Sequence, residues 1–138
     1  MKIGIVIPCY NRVSSLQRLL ISLLEANYGN FQVDLAFSID YSGTDEVELV
    51  ATTFVWPFGK KRLFVHPQNI GLKQNVLFCG DLVDEYDAVI VLEDDLYVAC
   101  DFYQFAKQAA LYYQNNKAIA GISLYSCLLY TSPSPRDM

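Results

Sequence analysis

Three consecutive carboxylates, Glu93, Asp94 and Asp95, are the residues of this chain whose type and spacing best suit chemistry. They follow an apolar run with the character of a buried strand, and apolar residues resume after them. Three acids at such a position repel one another and resist desolvation, so a hard divalent cation or a cationic partner beside them would stabilise the group. The other interpretation is a solvated turn whose acids favour the start of the next helix.

An alternation of strand and helix patterns positions these acids. Apolar or alternating runs predict strands at residues 2–7, 31–39, 63–66, 88–92 and 118–124. Helical spacing predicts helices over residues 14 to about 28 and about 45 to 54, and two more that follow Gly71 and Asp101. The order βαβαβαβαβ predicts an α/β fold with a Rossmann-like, doubly wound and mostly parallel sheet.

Individual residues predict where some of these elements begin and end. Pro8 is expected to close the first strand. Ser14 and Gln17 have the spacing of a capping box at the start of the first helix. Asp101 is a suitable N-cap for the helix that follows it.

Polar and turn-forming residues follow four of the predicted strands, at residues 8–11, 40–42, 69–71 and 93–95. In parallel sheets, ligands bind outside the carboxyl ends of the strands. The most polar segments of the chain should therefore gather along one edge of the sheet. This convergence supports a binding site there more strongly than any single motif.

Acids at such an edge suit Mg²⁺ or Mn²⁺, which proteins hold through one or two carboxylates while substrate phosphates complete the coordination shell. The ion would neutralise a nucleoside diphosphate and stabilise it as a leaving group. Neither G-x-G-x-x-G nor G-x-x-x-x-G-K-[ST] occurs in the chain, so the nucleotide would be held by other means.

Four stretches together resemble the GT-A fold glycosyltransferases that use nucleotide sugars, especially the family 2-like group. They are IVIPCYNR, FSIDYSGTDE, HPQNIGLKQN and VIVLEDDLYVACDFYQF, and the resemblance covers residues 3–125. The last stretch is also similar to N-acetylglucosaminyltransferases. The resemblance implies metal-assisted transfer of a sugar to an unknown acceptor. It favours inversion and a UDP-sugar donor, and GDP and dTDP donors stay open. Tyr41 departs from the family pattern, which often has a second acid at that position.

The resemblance implies roles by matching position. Asp95 would bind the metal, and Glu93 and Asp94 would support the metal, the ribose or the sugar. Asp40 would accept a hydrogen bond from the nucleobase. The residues that would shape the base pocket or lie near the base or diphosphate are Pro8, Tyr10, Asn11, Asn69, Gly71 and Lys73.

Each of these residues also has a plainer interpretation. Asp40 could be a turn residue, and Gly71 could serve only the backbone. Tyr10 could be part of the core, and Lys73 could be an ordinary exposed helix residue. Pro8 could simply end its strand.

The domain is predicted to occupy residues 1–126. Residues 127–138 match no element or family motif, and 127–137 resemble a translated sequencing-library adapter. The alternative is a genuine Pro/Ser-rich tail. In the GT-A fold the catalytic base and the acceptor site come from the second half, and nothing in this chain matches them. The catalytic residues are therefore not identified, and the chain is predicted to be an inactive fragment that binds the donor.

Other classes remain open or are disfavoured. A sugar nucleotidyltransferase would carry a glycine-rich basic loop after the first strand, and a receiver domain would carry acids there, whereas this chain has PCYNR. A nucleotide-binding module without catalysis also fits. The net charge of −5 disfavours a nucleic acid polymer as partner. With one histidine and no C-x-x-C pair, a structural zinc site is not expected. Without a signal peptide or membrane span, membrane association is not evident and the cytoplasm is the expected location.

Overall fold

The computed structural model describes residues 2–113 of the chain. Their elements, in chain order, are β1 (Ile3–Cys9), α1 (Val13–Glu25), β2 (Asp34–Ile39), α2 (Glu46–Thr53), β3 (Lys61–Val65), α3 (Gly71–Asp81), a 3₁₀ turn (Leu82–Glu85), β4 (Ala88–Val91) and α4 (Phe102–Tyr113). The four strands are parallel and lie in the order β3-β2-β1-β4. The predicted α/β, Rossmann-like fold is confirmed, while the predicted strand at 118–124 and the tail lie outside the described residues.

Helices cover both faces of the sheet, because side chains of a strand alternate between its faces. Ile5 and Ile7 of β1 belong to a large buried cluster with residues of α1, α2 and α4. Val6, between them, packs instead with Cys79 of α3. Each fully buried aliphatic side chain contributes about 1.5–3 kcal/mol. The two clusters fix the sheet between the helices, and they thereby fix the positions of the strand ends at its carboxyl edge.

Strand β1 continues through Pro8 to Cys9, so the prediction that Pro8 closes the strand was wrong. The carbonyl of Val6 bonds to the backbone that follows β4, and the carbonyl of Cys9 bonds to the backbone that follows β2. Since successive residues face opposite neighbours, Pro8 faces the β4 side, where the paired register ends at Val6. No ladder bond is lost there, and proline is tolerated.

Helix α1 begins at Val13, with Arg12 at the N-cap and no side-chain capping bond. The predicted capping box of Ser14 and Gln17 was therefore wrong. The earlier start lets the side chain of Val13 pack against the large buried cluster, and this packing outweighs the local capping preference. Helix α4, by contrast, begins directly after Asp101, as predicted.

Helix α1 ends at Glu25, before the predicted end, because Tyr28 leaves the helical path to enter the core. The hydroxyl of Tyr28 donates to the carbonyl of Leu23 at 2.7 Å. Its ring contacts four other aromatic side chains, those of Trp56, Phe58, Phe102 and Tyr103. Among residues 2–113, no helix is both long and apolar enough to cross a membrane.

Candidate functional site

The ends of β1 and β2 and the helix after β3 are joined at the carbonyl of Cys9. This oxygen accepts the backbone N–H of Asp40 at 2.9 Å and the side-chain Nδ2–H of Asn75 at 3.4 Å. Asp40 is the first residue after β2, and Asn75 lies in α3. These bonds connect segments after three neighbouring strands at the carboxyl edge of the sheet, where the topology predicts a binding site.

The carboxylate of Asp40 organises the loop that leads into α3. Its Oδ1 accepts the backbone N–H groups of Tyr41 at 2.9 Å and Ile70 at 2.8 Å. Its Oδ2 accepts the N–H of Gly71 at 3.0 Å and the Nδ2–H of Asn69 at 3.2 Å. A carboxylate offers about four acceptor positions, so these four donors use all of them. Asp40 is only 4% exposed and is fully partnered by the protein.

Gly71 is the first residue of α3 and has a φ of +84°. A Cβ added there would meet nothing within 4 Å. The left-handed backbone, and not crowding, therefore requires glycine at this position. Lys73 lies exposed two residues further along α3.

A buried polar network beneath this loop was missed by sequence reasoning. Asn75 donates from Nδ2 to the carbonyl of Ser38 at 3.0 Å, so its Oδ1 is the acceptor for the Ser38 hydroxyl. Because that hydroxyl hydrogen is committed, Ser38 Oγ accepts from His66 Nε2–H at 2.8 Å. The polar residues inside apolar elements were the available signal, and the network fixes α3 against β2 and the end of β3.

The acid turn, Glu93 to Asp95, lies against the loop that follows β1. The half-buried carboxylate of Asp94 accepts the backbone N–H of Tyr10. The exposed Asp95 forms an ion pair with Arg12, whose Nη1 lies 3.4 Å from Asp95 Oδ2. A cationic partner was one of the two predicted ways to stabilise the three acids. Arg12 supplies it, although sequence reasoning did not single out this residue.

The environment of the acid turn changes the acidity of two groups. The pKa of the Asp94 carboxyl is raised, mainly by burial and to a smaller extent by the negative charge of Asp95. The Arg12 guanidinium and the Tyr10 N–H lower this pKa but do not cancel the increase. Burial, with the Asp94 charge as a smaller cause, raises the pKa of the Cys9 thiol well above its usual range. Cys9 is therefore a neutral packing residue and not a reactive thiolate.

The donor atoms of the acid turn suit a hard divalent cation. Asp94 and Asp95 are adjacent carboxylates, and Mg²⁺ or Mn²⁺ sites that include substrate phosphates commonly use one or two such groups. Within residues 2–113, no three histidine, cysteine, aspartate or glutamate side chains are grouped to hold a metal ion. Two adjacent carboxylates suit an ion whose coordination shell is completed by a phosphate ligand.

The remaining candidate residues divide between the surface and the sheet. Tyr10 is 43% exposed, so the interpretation of Tyr10 as core is wrong. Asn11 is also exposed, whereas Pro8 is buried within β1. The structure thus brings the candidates together in two groups. One joins Tyr10 to the acid turn, and the other joins Asn69 and Gly71 to Asp40.

The sequence model of the family described as Glycosyl transferase family 2 matches residues 4–137. This match covers nearly the whole chain and continues past Ser126, the predicted end of the domain. A comparison with curated proteins found no match.

Solved structures share the fold. S. aureus TarS 1-349 in complex with UDP-GlcNAc is 19% identical with a TM-score of 0.60, over 82% of this chain and 31% of that one. The mannosyltransferase PcManGT from Pyrobaculum calidifontis, in complex with GDP-Man and Mn²⁺, is 16% identical with a TM-score of 0.62, over 78% and 31%. At these identities the likeness shows the fold alone. The chain spans about a third of the length of these structures.

Proposed function

Because the chain belongs to glycosyl transferase family 2 and shares the GT-A fold, we propose that it carries the donor-binding half of an enzyme that transfers a sugar from a nucleoside diphosphate. The contacts of two consecutive residues, Cys9 and Tyr10, are the main support for this proposal. Cys9 accepts a bond from Asp40, and Tyr10 donates one to Asp94. The proposed base acceptor and metal-binding turn therefore flank one loop.

The spacing of these groups suits a nucleoside diphosphate. Asp40 follows β2 and Asp94 follows β4, and β1 lies between these two strands. Neighbouring strands are about 4.8 Å apart, so the two segments are separated by about 10 Å along the sheet. A nucleotide whose base lies near Asp40 would place its diphosphate near the acid turn.

In this proposal Asp95 binds Mn²⁺ or Mg²⁺ directly, with Glu93 and Asp94 in support. The bound ion supplies Lewis-acid stabilisation of the departing nucleoside diphosphate. Asp94 is held in place by the Tyr10 N–H, and Asp95 is half exposed and accessible to a ligand. Lys73 is exposed near the start of α3, and we expect it to lie near the base or the diphosphate.

On the base side, the loop residues Asn69 and Gly71 bond to Asp40. We expect Pro8 near the end of β1, and Tyr10 and Asn11 after it, to shape the base pocket. The amide of Asn69 makes the longest of the four bonds to Asp40, at 3.2 Å. A ring N–H of the base could replace this amide as the donor to Asp40 Oδ2. Of the four bonds to Asp40, this longest one should cost the protein the least free energy to lose. Asp40 would thereby accept a hydrogen bond from the nucleobase while the backbone bonds to the loop persist.

We propose a UDP-sugar as donor, transferred with inversion, to an acceptor that the site does not define. TarS is described with UDP-GlcNAc and the mannosyltransferase with GDP-Man and Mn²⁺, so both uridine and guanosine diphosphates belong in the test. The catalytic base that deprotonates the acceptor is expected from the second half of the fold. We therefore expect turnover to be slow or absent in this chain.

Two other functions stay as alternatives. One is a nucleotide-binding module without catalysis, since none of the residues placed at the site is assigned as the catalytic base. A sugar nucleotidyltransferase would need a glycine-rich loop after β1, where this chain has Tyr10 to Arg12 without glycine. Hydrolysis or transfer of a UDP-sugar would argue against the module, and pyrophosphate-dependent cleavage of the donor would support the nucleotidyltransferase.

The proposal is tested by calorimetric titration of UDP and GDP into the chain, with and without Mn²⁺. Asp95→Asn keeps the shape of the side chain but removes its charge, and should weaken Mn²⁺-dependent UDP binding at least about tenfold. Asp84→Asn, an exposed acid that precedes β4 at the opposite edge of the sheet, is the matched control. Equal UDP affinity in the Asp95 variant and the wild type would refute the metal assignment.

A further inference from the structure

Arg12 combines a fixed backbone with an exposed, charged side chain. It is the N-cap residue of α1, and its backbone is fixed because its carbonyl accepts the N–H of Leu16 at 3.0 Å. Its side chain is 58% exposed, and the partner Asp95 is 47% exposed. The backbone of Arg12 is therefore fixed, while its exposed guanidinium group can reorient.

The loop that bears Arg12 contacts both acids of the proposed metal site. Tyr10 uses its backbone N–H to hold Asp94, whereas Arg12 uses a side-chain charge to hold Asp95. The first contact leaves other acceptor positions of Asp94 available. The second places a positive charge next to Asp95 Oδ2, where a divalent cation would bind.

A divalent cation and a guanidinium repel each other strongly at the distance at which both would contact Asp95. This repulsion favours release of the guanidinium, because an ion pair at an exposed surface is weak enough to be exchanged. The displaced guanidinium is a planar donor whose geometry matches phosphate oxygens. A donor diphosphate bound to the same cation would lie within reach of it.

We propose that Arg12 is an exchangeable counter-ion of the acid turn. It pairs with Asp95 when no cation is bound, and it binds the diphosphate of the nucleotide donor once the cation occupies Asp95. This inference rests on the proposed function and adds a positioning residue that couples the two binding events. Arg12 thus opposes binding of the free cation and favours binding of the nucleotide–cation complex.

The test measures two affinities on the full 138-residue chain. Mn²⁺ affinity without nucleotide is read from the electron paramagnetic resonance signal of free Mn²⁺, and UDP affinity at saturating Mn²⁺ is measured by calorimetry. Arg12→Gln should bind Mn²⁺ about three- to tenfold more tightly, because a neighbouring positive charge is removed. The same variant should bind UDP with Mn²⁺ about tenfold more weakly.

Two variants serve as controls. Arg18→Gln removes the same charge from the exposed surface of α1, about 9 Å further along the helix axis, and should leave both affinities close to wild type. Arg12→Lys keeps the charge but lacks the planar fork. It should therefore restore the wild-type affinity for Mn²⁺ but only part of the affinity for UDP.

The opposite signs of the two changes distinguish exchange from a structural role. If Arg12→Gln lowers both affinities, Arg12 only supports the loop and the inference is overturned. Unchanged Mn²⁺ affinity in this variant, with normal binding by the wild type, overturns the inference but leaves the proposed function intact. If the wild type binds neither Mn²⁺ nor UDP, both the proposed function and the inference are wrong.

Discussion

Replacing Asn75 with leucine is expected to destabilise the chain by about 3 kcal/mol. The substitution keeps the size of the side chain and removes three hydrogen bonds, one accepted from the Ser38 hydroxyl and two donated to the carbonyls of Ser38 and Cys9. The Cys9 carbonyl keeps the N–H of Asp40 as donor, so its loss is small. The hydroxyl and carbonyl of Ser38 carry most of the cost, at about 1–2 kcal/mol for each buried group that loses a partner.

The measurement is urea denaturation followed by the fluorescence of Trp56, the only tryptophan of the chain. Trp56 is buried, and its Nε1–H donates to the carbonyl of Val33 at 2.7 Å, so its emission should report unfolding of the core. A loss of about 3 kcal/mol corresponds to a fall in the melting temperature of about 10 °C for a domain of this size. Gln74→Leu makes the same chemical change at the exposed neighbouring residue and should shift stability by less than about 0.5 kcal/mol.

A second substitution tests the mechanism. Adding Ser38→Ala to the leucine variant removes the hydroxyl that lost its acceptor, and should recover up to about 1 kcal/mol. It also removes the acceptor of His66 Nε2–H, but His66 is partly exposed and water can replace that bond. If Asn75→Leu costs no more than Gln74→Leu, the network does not hold α3 and the reasoning is refuted. A double variant less stable than the single one would show that the bond between the Ser38 hydroxyl and His66 stabilises the leucine variant by more than the unpaired hydroxyl hydrogen costs.

Two further predictions concern the amino edge of the sheet and the loop before α3. Burial raises the pKa of Asp34, but bonds from the Lys60 N–H and the Tyr86 hydroxyl outweigh it and the net pKa is lowered. A lowered pKa stabilises the fold above the unfolded value of about 3.9, and this contribution is lost as pH falls through the folded value. Urea midpoints should therefore fall more steeply below pH 4 in the wild type than in Asp34→Asn, and equal slopes would contradict the assignment. Gly71→Ala should cost about 1–2 kcal/mol because of its positive φ, whereas Gly80→Ala, in the same helix with open space around it, should stabilise by about 0.5–1 kcal/mol. Thermal melting of both variants checks this, and a stabilising alanine at Gly71 would show that the loop is not held in the left-handed conformation.

Within residues 2–113, the sequence was sufficient for the order of strands and α-helices and for the edge of the sheet at which polar residues gather. Apolar periodicity reports which face of an element is buried, and short connections restrict how parallel strands can be arranged. The ends of elements were less predictable. Helix α1 begins at Val13 because a tertiary contact of that side chain outweighs the capping preference of Ser14, and a local pattern cannot contain this contact.

The sequence also indicated which residues would meet at the site but not what they would bond to. Asp40 was expected to contact a base, yet its carboxylate bonds to backbone groups about thirty residues away. Arg12 and Asp95 are still more distant in sequence. Such pairings depend on the register between strands and the path of loops, which residue types alone do not specify. Asn75 was overlooked for the same reason, since a polar residue in a helix is usually exposed.

The two sides of the site are held by interactions of very different strength, and this difference predicts how they respond to ligand. Asp40 and the Asn75 network are buried and hydrogen-bonded, so moving them leaves polar groups unpaired at about 1–3 kcal/mol each. The ion pair of Arg12 and Asp95 is half exposed and worth at most about 1 kcal/mol. The base side should therefore be formed before the nucleotide binds, while the metal side rearranges during binding. It follows that loss of the Asn75 network should weaken UDP binding with or without Mn²⁺, whereas Asp95→Asn should weaken only the Mn²⁺-dependent part.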